Sequence, residues 1–320
     1  MRAPITLDLH LPNFNYPDTP PEKLFAKLTE IAQTAESSGF SSLTVMDHLH
    51  QIRGVGPREN YMLEGNTILG ALAAKTEKVS LSLLVGGVIY RNPALLAKIT
   101  TTLDIISGGR AILGIGAAWN EEEADAYDIP FPPLKERFER LEDALNIARL
   151  MFTQPEATYK GRHHSVRGAL NNPKPLRGDI PIMIGGSGER KTLRFVAKYA
   201  DACNVFGDVE RVKHLLGVLE RHCEDVGRDP AEITKTRNGV FLVARTREDL
   251  ERKRQEVIAA GYSEERLTPQ LALMGTVEEV AEQAQAFKDA GLDGLTGSIP
   301  DVYDLDAVRL VGEAIAPVFA

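Results

Sequence analysis

The sequence predicts a closed (β/α)8 TIM barrel formed as a single domain over residues 1–320. Two observations carry that expectation. Short apolar runs alternate with stretches of helical period about eight times along the chain, with no break in composition between them. A length of 320 residues suits one such barrel, and 43% hydrophobic against 26% charged residues suits a soluble chain with a large core. An open doubly wound sheet is the alternative fold.

Residues 5–11 alternate apolar and polar and end at Pro12-Asn13-Phe14, a strand running into a loop. Thr19-Pro20-Pro21-Glu22 marks a helix start with Thr19 as N-cap, and Leu24, Leu28, Ile31 and Ala35 form its buried stripe up to Gly39. Residues 42–46 are the second strand and deliver Asp47-His48 at its C-terminal end. A helix over about 66–75 follows, then a third strand over 79–88 with Gly86-Gly87 near its end. Asn92-Pro93 opens a helix carrying Leu96, Ile99, Leu103 and Ile106, stopped by Ser107-Gly108-Gly109. Residues 110–115 are the fourth strand and empty into Gly116-Ala117-Ala118-Trp119-Asn120. Glu121, Glu122 and Glu123 read as acids that favour a helix dipole, and Leu134, Phe138, Leu141, Leu145 and Ala148 mark a long amphipathic helix.

Between Pro155 and Pro175 the helical period vanishes, which predicts a small hairpin. His163 and His164 read as its surface, because neighbours on a strand face opposite ways. Residues 180–184 are a fifth strand, broken by Gly185-Gly186-Ser187-Gly188 and followed by a helix with Leu193, Val196 and Ala197 buried and Ser187 as N-cap. A strand over 202–206 leads to a helix capped by Asp208 and closed by Gly227. A seventh strand over 236–244 precedes a helix with Leu250, Val257 and Ile258, and residues 262–274 read as an irregular lid or insertion. Thr276 and Glu279 form a capping box, and a strand over 294–299 and a helix over about 304–315 complete the barrel.

Active sites of this fold lie at the C-terminal strand ends. One mouth therefore collects Asn13, Phe14, Asp47, His48, Gly86, Gly87, residues 116–120, the 185–188 loop, Phe206 and Gly207. The glycine loop leaves backbone N–H groups bare near a helix start, and Arg190 and Lys191 add positive charge, which makes an anion site, most naturally for phosphate. The competing reading is a turn that only lets strand and helix pack closely. The loop lacks the Lys-Ser/Thr pair of a Walker loop and the acidic residue of the dinucleotide fingerprint.

The mouth is poor in ionisable groups and rich in glycine and aromatic residues, which suits a large flat cofactor with an anionic tail better than metal or paired-carboxylate chemistry. Imidazole is suited to passing a proton beside a redox centre, so His48 is the candidate acid/base; the competing role is a structural His at a strand end. Trp119 either stacks on substrate or anchors packing. A net charge of −8 argues against nucleic acid or anionic membrane as partner and leaves a small molecule. The two cysteines lack metal or redox spacing, and Cys203 reads as core packing, so no metal site is expected. With no signal-peptide pattern and no membrane-spanning apolar run, a cytoplasmic protein is expected.

Several motifs recur in a fixed order: Asp47-His48-Leu49, Tyr90-Arg91-Asn92-Pro93-Ala94, Ser107-Gly108-Gly109-Arg110, and Gly114-Ile115-Gly116-Ala117-Ala118-Trp119-Asn120-Glu121. The Gly185 to Gly188 loop, Met274-Gly275-Thr276-Val277-Glu278-Glu279 and Gly291-Leu292-Asp293-Gly294-Leu295 complete the set. Over nearly the whole chain they resemble the bacterial luciferase-like superfamily, and within it most the branch of oxidoreductases dependent on coenzyme F420, an 8-hydroxy-5-deazaflavin. The resemblance implies hydride transfer between F420 and an unidentified small organic substrate, and a homodimer. It implies that Asp47 contacts the ring, that residues around Leu83, Leu84 and Gly86 back it with a non-proline cis peptide near Leu83-Leu84, and that Gly185, Gly186, Ser187 and Gly188 hold the cofactor phosphate. His48 becomes the catalytic residue, Phe206 joins the cofactor residues, and Phe14, Trp119 and Asn120 the substrate pocket.

The chain departs in two ways from the sugar-phosphate and alcohol dehydrogenases of that superfamily. Ala118 and Trp119 stand where those enzymes place a catalytic Glu, and Ile52 stands where they place a Trp. An FMN-dependent monooxygenase using reduced flavin and oxygen is the alternative function, and a non-catalytic flavin-binding barrel a third.

Overall fold

The computed structural model describes residues 2–320. The first half of the chain runs β1 (Leu7–Leu11), α1 (Pro21–Ser37), β2 (Ser42–Val45), α2 (Gly65–Ala73), β3 (Ser80–Leu83), β4 (Gly86–Gly87), α3 (Pro93–Ser107), β5 (Leu113–Gly116), α4 (Glu121–Ala126) and α5 (Leu134–Thr153). A hairpin, β6 (Glu156–Lys160) and β7 (Ser165–Leu170), interrupts the alternation. Then come β8 (Ile182–Gly185), α6 (Thr192–Tyr199), β9 (Ala202–Val205), α7 (Val209–Val226), β10 (Thr234–Ala244), α8 (Arg247–Ala259), β11 (Ala272–Thr276), α9 (Val277–Asp289), β12 (Gly294–Ser298) and α10 (Leu305–Phe319).

The strands close a parallel barrel. β3 and β4 are two pieces of one strand, paired with β2 below and β5 above, and the Leu81–Ala111 bridge joins the last open edge. The order β3-β2-β1-β12-β10-β9-β8-β5-β4 therefore returns on itself as an eight-stranded barrel, the TIM fold expected. β11 is additional and falsifies part of the expectation for 262–274, because the end of that stretch is a strand. The N–H groups of Thr234 and Val240, an even number of residues apart, donate to Asp201 and Leu271. β11 thus lies on the edge of β10 that β9 occupies lower down, and this edge stands above the barrel.

Alternation along β1 separates two cores. Leu7, Leu9 and Leu11 face α1 and α10 in the main apolar cluster with Leu28, Ile31 and Val311, each such burial contributing roughly 1.5–3 kcal/mol. Asp8 and His10 face the barrel interior with Ser42, Thr44, Asn204, Thr236 and Thr296, all buried. Thr44 Oγ1 donates to Asp8 Oδ2 at 2.9 Å, and Asn204 Nδ2 donates to Thr236 and Thr296 at 2.9 and 3.1 Å. Hydroxyls and an amide fill a space that branched apolar side chains usually occupy in this fold.

Thr19 is not the cap of α1. Pro20 holds that position without a side-chain bond, and the Thr19 hydroxyl donates instead to Pro17 O at 2.9 Å. The Thr276–Glu279 capping box is present as expected.

Candidate active site

β2 and β4 end side by side, and Asp47 ties them. Its Oδ2 accepts from Gly87 N–H at 3.0 Å and from Arg91 Nη1 at 2.7 Å, while Oδ1 accepts from Arg91 Nη2 at 2.8 Å. Arg91 also reaches Glu64 at 2.5 Å, the residue whose carboxylate caps α2. Burial pushes the Asp47 carboxyl up, against the opposing pull of Arg91 and the Gly87 N–H. A forked guanidinium on a buried carboxylate makes a rigid brace, and removing one partner of such a pair typically costs about 3–5 kcal/mol.

His48 is held from the opposite side. Its Nδ1 lies 2.8 Å from Glu123 Oε2, which also accepts from Tyr90 OH at 2.5 Å. Glu123 Oε1 accepts the backbone N–H groups of Leu49 and His50 at 2.6 and 3.2 Å. Burial raises the Glu123 carboxyl, but the bonds from His48 and Tyr90, the charge of His48 and the Leu49 N–H outweigh it and hold the pKa down at about 2. An ionised carboxylate takes a proton-bearing Nδ1, which leaves Nε2 as the free ring nitrogen. Trp119 meets the imidazole edge-on, ring centroids 5.3 Å apart.

Glu123 is fully buried, so it is not one of three solvated acids at a helix start. Asn120 explains how it turns inward: as N-cap of α4 it accepts the Glu123 N–H at 3.4 Å, fixing the first turn over the mouth. Ala118, two residues before Asn120, has φ of +60°, a conformation uncommon outside glycine, and its carbonyl is held by Arg137.

Beside His48 opens a cavity of about 300 Å³. Its walls are Leu84, Val85, Ile184, Phe138, Leu141, Trp119 and Phe206, with glycine backbone from Gly86, Gly87, Gly116, Gly185 and Gly186. Val85 is wedged between strand-end glycines: a Cβ on Gly116 or on Gly185 would stand 2.9 Å from its methyl carbon. Polar lining comes from Asp47, His48, Tyr90, Thr192, Asn204 and Asn238, and the buried Asn238 Oδ1 has no hydrogen-bond partner.

Of the residues singled out from the sequence, Asp47, His48, Leu84, Gly86, Gly185, Gly186, Phe206 and Trp119 line this cavity. The others lie elsewhere. Phe14 is fully buried in the main apolar cluster, outside the cavity lining. Leu83 also points into that cluster, and the cis peptide is Leu84–Val85, one residue beyond the expected position. Asn120 is spent as a helix cap. Ser187 is not the N-cap of α6, since a turn over 189–191 separates the loop from Thr192; its Oγ accepts the Phe206 N–H at 2.9 Å and ties two strand ends. Gly188 sits at the exposed rim, as do Arg190 and Lys191.

Tyr90, Val85 and Asn238 gained no role from the sequence, and Glu123 only that of a dipole-favouring acid. The signal available for Tyr90 was its place between a strand end and the Asn92-Pro93 helix start. Cys203 is buried, its thiol pushed up to about 12 by burial, which agrees with a packing role. Among the described residues no group of three or more His, Cys, Asp or Glu side chains could hold a metal ion, and no helix is long and apolar enough to cross a membrane.

Comparison with known proteins bears on this site. The luciferase-like monooxygenase family profile matches residues 6–294. An uncharacterised protein of Mycobacterium tuberculosis is 32% identical over 183 residues, which cover 53% of this chain and 64% of that relative. The F420-dependent glucose-6-phosphate dehydrogenase of Segniliparus rotundus is 26% identical over 318 residues, 91% of this chain and 93% of its own. The solved structure of the coenzyme F420-dependent tetrahydromethanopterin reductase of Methanopyrus kandleri superposes with a TM-score of 0.79 over 99% of both chains at 20% identity, a likeness of fold.

Proposed function

The chain belongs to the luciferase-like monooxygenase family, and from that premise we propose that it is an F420-dependent oxidoreductase acting on a small organic substrate. The observation that carries this reading is His48, fixed by Glu123 and Tyr90, at the edge of a mainly apolar cavity lined by Val85. The Segniliparus relative that aligns over most of both chains is an F420-dependent dehydrogenase, which supports the same reading.

The residues present fit a deazaflavin. Val85 between Gly116 and Gly185 offers a smooth apolar floor that larger residues at those glycines would lift. The unpaired Asn238 Oδ1 is an acceptor waiting for a ring N–H, and burying it without one is costly. The Gly185–Gly188 loop with exposed Arg190 and Lys191 would take the phosphate of the tail at the rim. When bound, the deazaflavin supplies two-electron hydride chemistry at its C5.

The chain's own residues would then manage position and proton. Asp47, clamped by Arg91 and Gly87, keeps the ends of β2 and β4 at a fixed spacing beside the ring. His48 Nε2 takes a proton from the substrate heteroatom in the oxidative direction and returns it in the other. Glu123 stays ionised and stabilises the imidazolium, and Tyr90 keeps the carboxylate aimed at Nδ1. Glu123 thereby supplies an acid beside the catalytic His although Ala118 and Trp119 occupy the position where related dehydrogenases carry theirs.

A paired fluorescence titration with oxidised F420 and with FMN tests the proposal. Tight F420 binding with much weaker FMN binding is the expected result. Preference for FMN would favour the monooxygenase reading that the family description also permits, with oxygen consumption as the next measurement. Binding of neither would overturn the cofactor assignment. His48→Ala should lower turnover by roughly 10²–10⁴-fold while F420 affinity stays unchanged; equal turnover would remove His48 from the mechanism.

A further inference from the structure

Besides His48, four aromatic side chains line the cavity, and three of them are already engaged. Tyr90 gives its hydroxyl to Glu123. Phe138 meets Phe195 edge-to-face with centroids 5.6 Å apart, and Lys191 Nζ stands 5.2 Å from its ring centre. Phe206 is tied through its N–H to Ser187 in the glycine loop, on the side proposed for the cofactor. The fourth, Trp119, is 64% exposed, and its one ring contact among the described residues is the edge-on meeting with His48 at 5.3 Å.

The backbone beneath Trp119 is braced. Arg137 Nη1 donates to Ala117 O at 3.3 Å and to Ala118 O, and its guanidinium lies 4.1 Å from the Phe131 ring centre. Asn120, the next residue, caps α4. A fixed indole with an uncovered face beside the candidate acid/base is a stacking platform. Charge narrows what such a platform accepts. No Lys or Arg lines the cavity, and its one carboxylate, Asp47, is held by Arg91. The rim beside Trp119 carries exposed Glu121 and Glu122, the latter paired with Arg58 at 3.0 Å. An anionic group entering here would lose hydration with no Lys or Arg in the lining to replace it.

We propose that Trp119 selects a neutral aromatic substrate, an aryl aldehyde or ketone or the matching alcohol, stacked on the indole with its oxygen at His48 Nε2. The indole and imidazole centroids are 5.3 Å apart, so the carbonyl is joined to the aromatic ring directly or through one carbon. In the reductive direction the carbonyl carbon accepts hydride from the reduced cofactor, and the oxygen takes a proton from His48 Nε2. The carbonyl becomes an alcohol, the cofactor is oxidised by two electrons, and the second proton it releases to solvent balances the one His48 takes back. The reaction rests on the oxidoreductase reading above; recognition of the ring rests on Trp119 and the cavity lining.

Trp119 is the sole tryptophan of the chain, so its fluorescence reports on this face alone. The first arm follows that emission while cofactor-free protein is titrated with benzyl alcohol, cyclohexylmethanol and benzoate. The second is calorimetry with the same three ligands on wild type, Trp119→Phe and Trp119→Ala, with and without F420. The third compares oxidation of reduced F420 by benzaldehyde and by cyclohexanecarbaldehyde. Benzyl alcohol should bind about ten-fold or more tightly than the other two, a preference kept in Trp119→Phe and lost in Trp119→Ala. KM for benzaldehyde should rise by a similar factor in Trp119→Ala while KM for the saturated aldehyde stays. Equal affinity for the two alcohols, tighter binding of benzoate, or a preference that survives in Trp119→Ala would overturn the proposal. Selective benzyl alcohol binding with no oxidation of reduced F420 by either aldehyde would sink the oxidoreductase reading and support the aromatic site. Matching thermal midpoints show that the variants are folded.

Discussion

Asp8 and Glu123 are both carboxylates shut away from solvent, yet their pKa values are displaced in opposite directions because their surroundings differ. Glu123, at the mouth, receives His48, Tyr90 and two backbone N–H groups, and its pKa is held at about 2. Asp8, in the barrel interior, is met only by hydroxyls; its Oδ1 has no partner, and burial raises it to about 6 in spite of Thr44, Ser42 and Thr296. Burial alone would push both upward. The count and polarity of the donors decide which way each goes, and the donors at Glu123 come from a site while those at Asp8 come from packing.

The signs for stability are opposite too. Glu123 is depressed from an ordinary 4.5, so its contribution is fully present above that value and is lost as pH falls through about 2, on the order of 3 kcal/mol. Asp8 is raised from 3.8, so its folded form keeps a proton the unfolded chain releases; stability falls as pH rises from about 4 to 6, by a similar amount.

The largest effect should come from breaking the donor-rich side. Glu123→Gln presents an amide N–H to His48 Nδ1, disturbs the tautomer and removes the counter-charge, so turnover should drop by roughly 10²–10⁴-fold. The same variant should lose about 3 kcal/mol at pH 7 by denaturant titration, a deficit that shrinks toward pH 2. Unchanged turnover would reduce Glu123 to a structural brace.

On the donor-poor side, Asp8→Asn should stabilise the fold by about 1–3 kcal/mol at pH 8 and by nothing at pH 4, measured as the thermal midpoint against pH. A loss at pH 8 would mean that the Asp8 carboxylate is better solvated than its unpaired oxygen indicates. The smallest effect sharpens the comparison from within. Tyr90→Phe removes one of the donors to Glu123 and should cost about 1–2 kcal/mol, with the Glu123 carboxyl carbon, followed by NMR, titrating at higher pH. A carboxyl that titrates where it did before would show that His48 and the backbone N–H groups suffice.

How much was legible beforehand differs between these regions in the same way. The strand carrying Asp8 and the strand end carrying Asp47-His48 follow from period-two alternation and from the barrel rule for strand ends. The glycine loop was readable, but not where its helix begins, since three turn residues look like a first helical turn in sequence. Glu123 was visible only as one acid of three, because a dipole-favouring acid and a buried ligand of an imidazole occupy the same kind of position on a helix start. Phe14 and Asn120 were placed near the mouth by chain order, and the side chains turned to the core and to a cap.

The sequence by itself determined the element types and their order, and with them a closed barrel whose mouth holds Asp47, His48 and a glycine loop. Those properties are local: apolar period, caps and turns act over a few residues. The tertiary structure alone decided that Glu123 meets His48 across 75 residues and that β11 rides above β9. Such meetings depend on how the barrel closes and how each loop folds over its rim, and short-range periodicity carries no record of either.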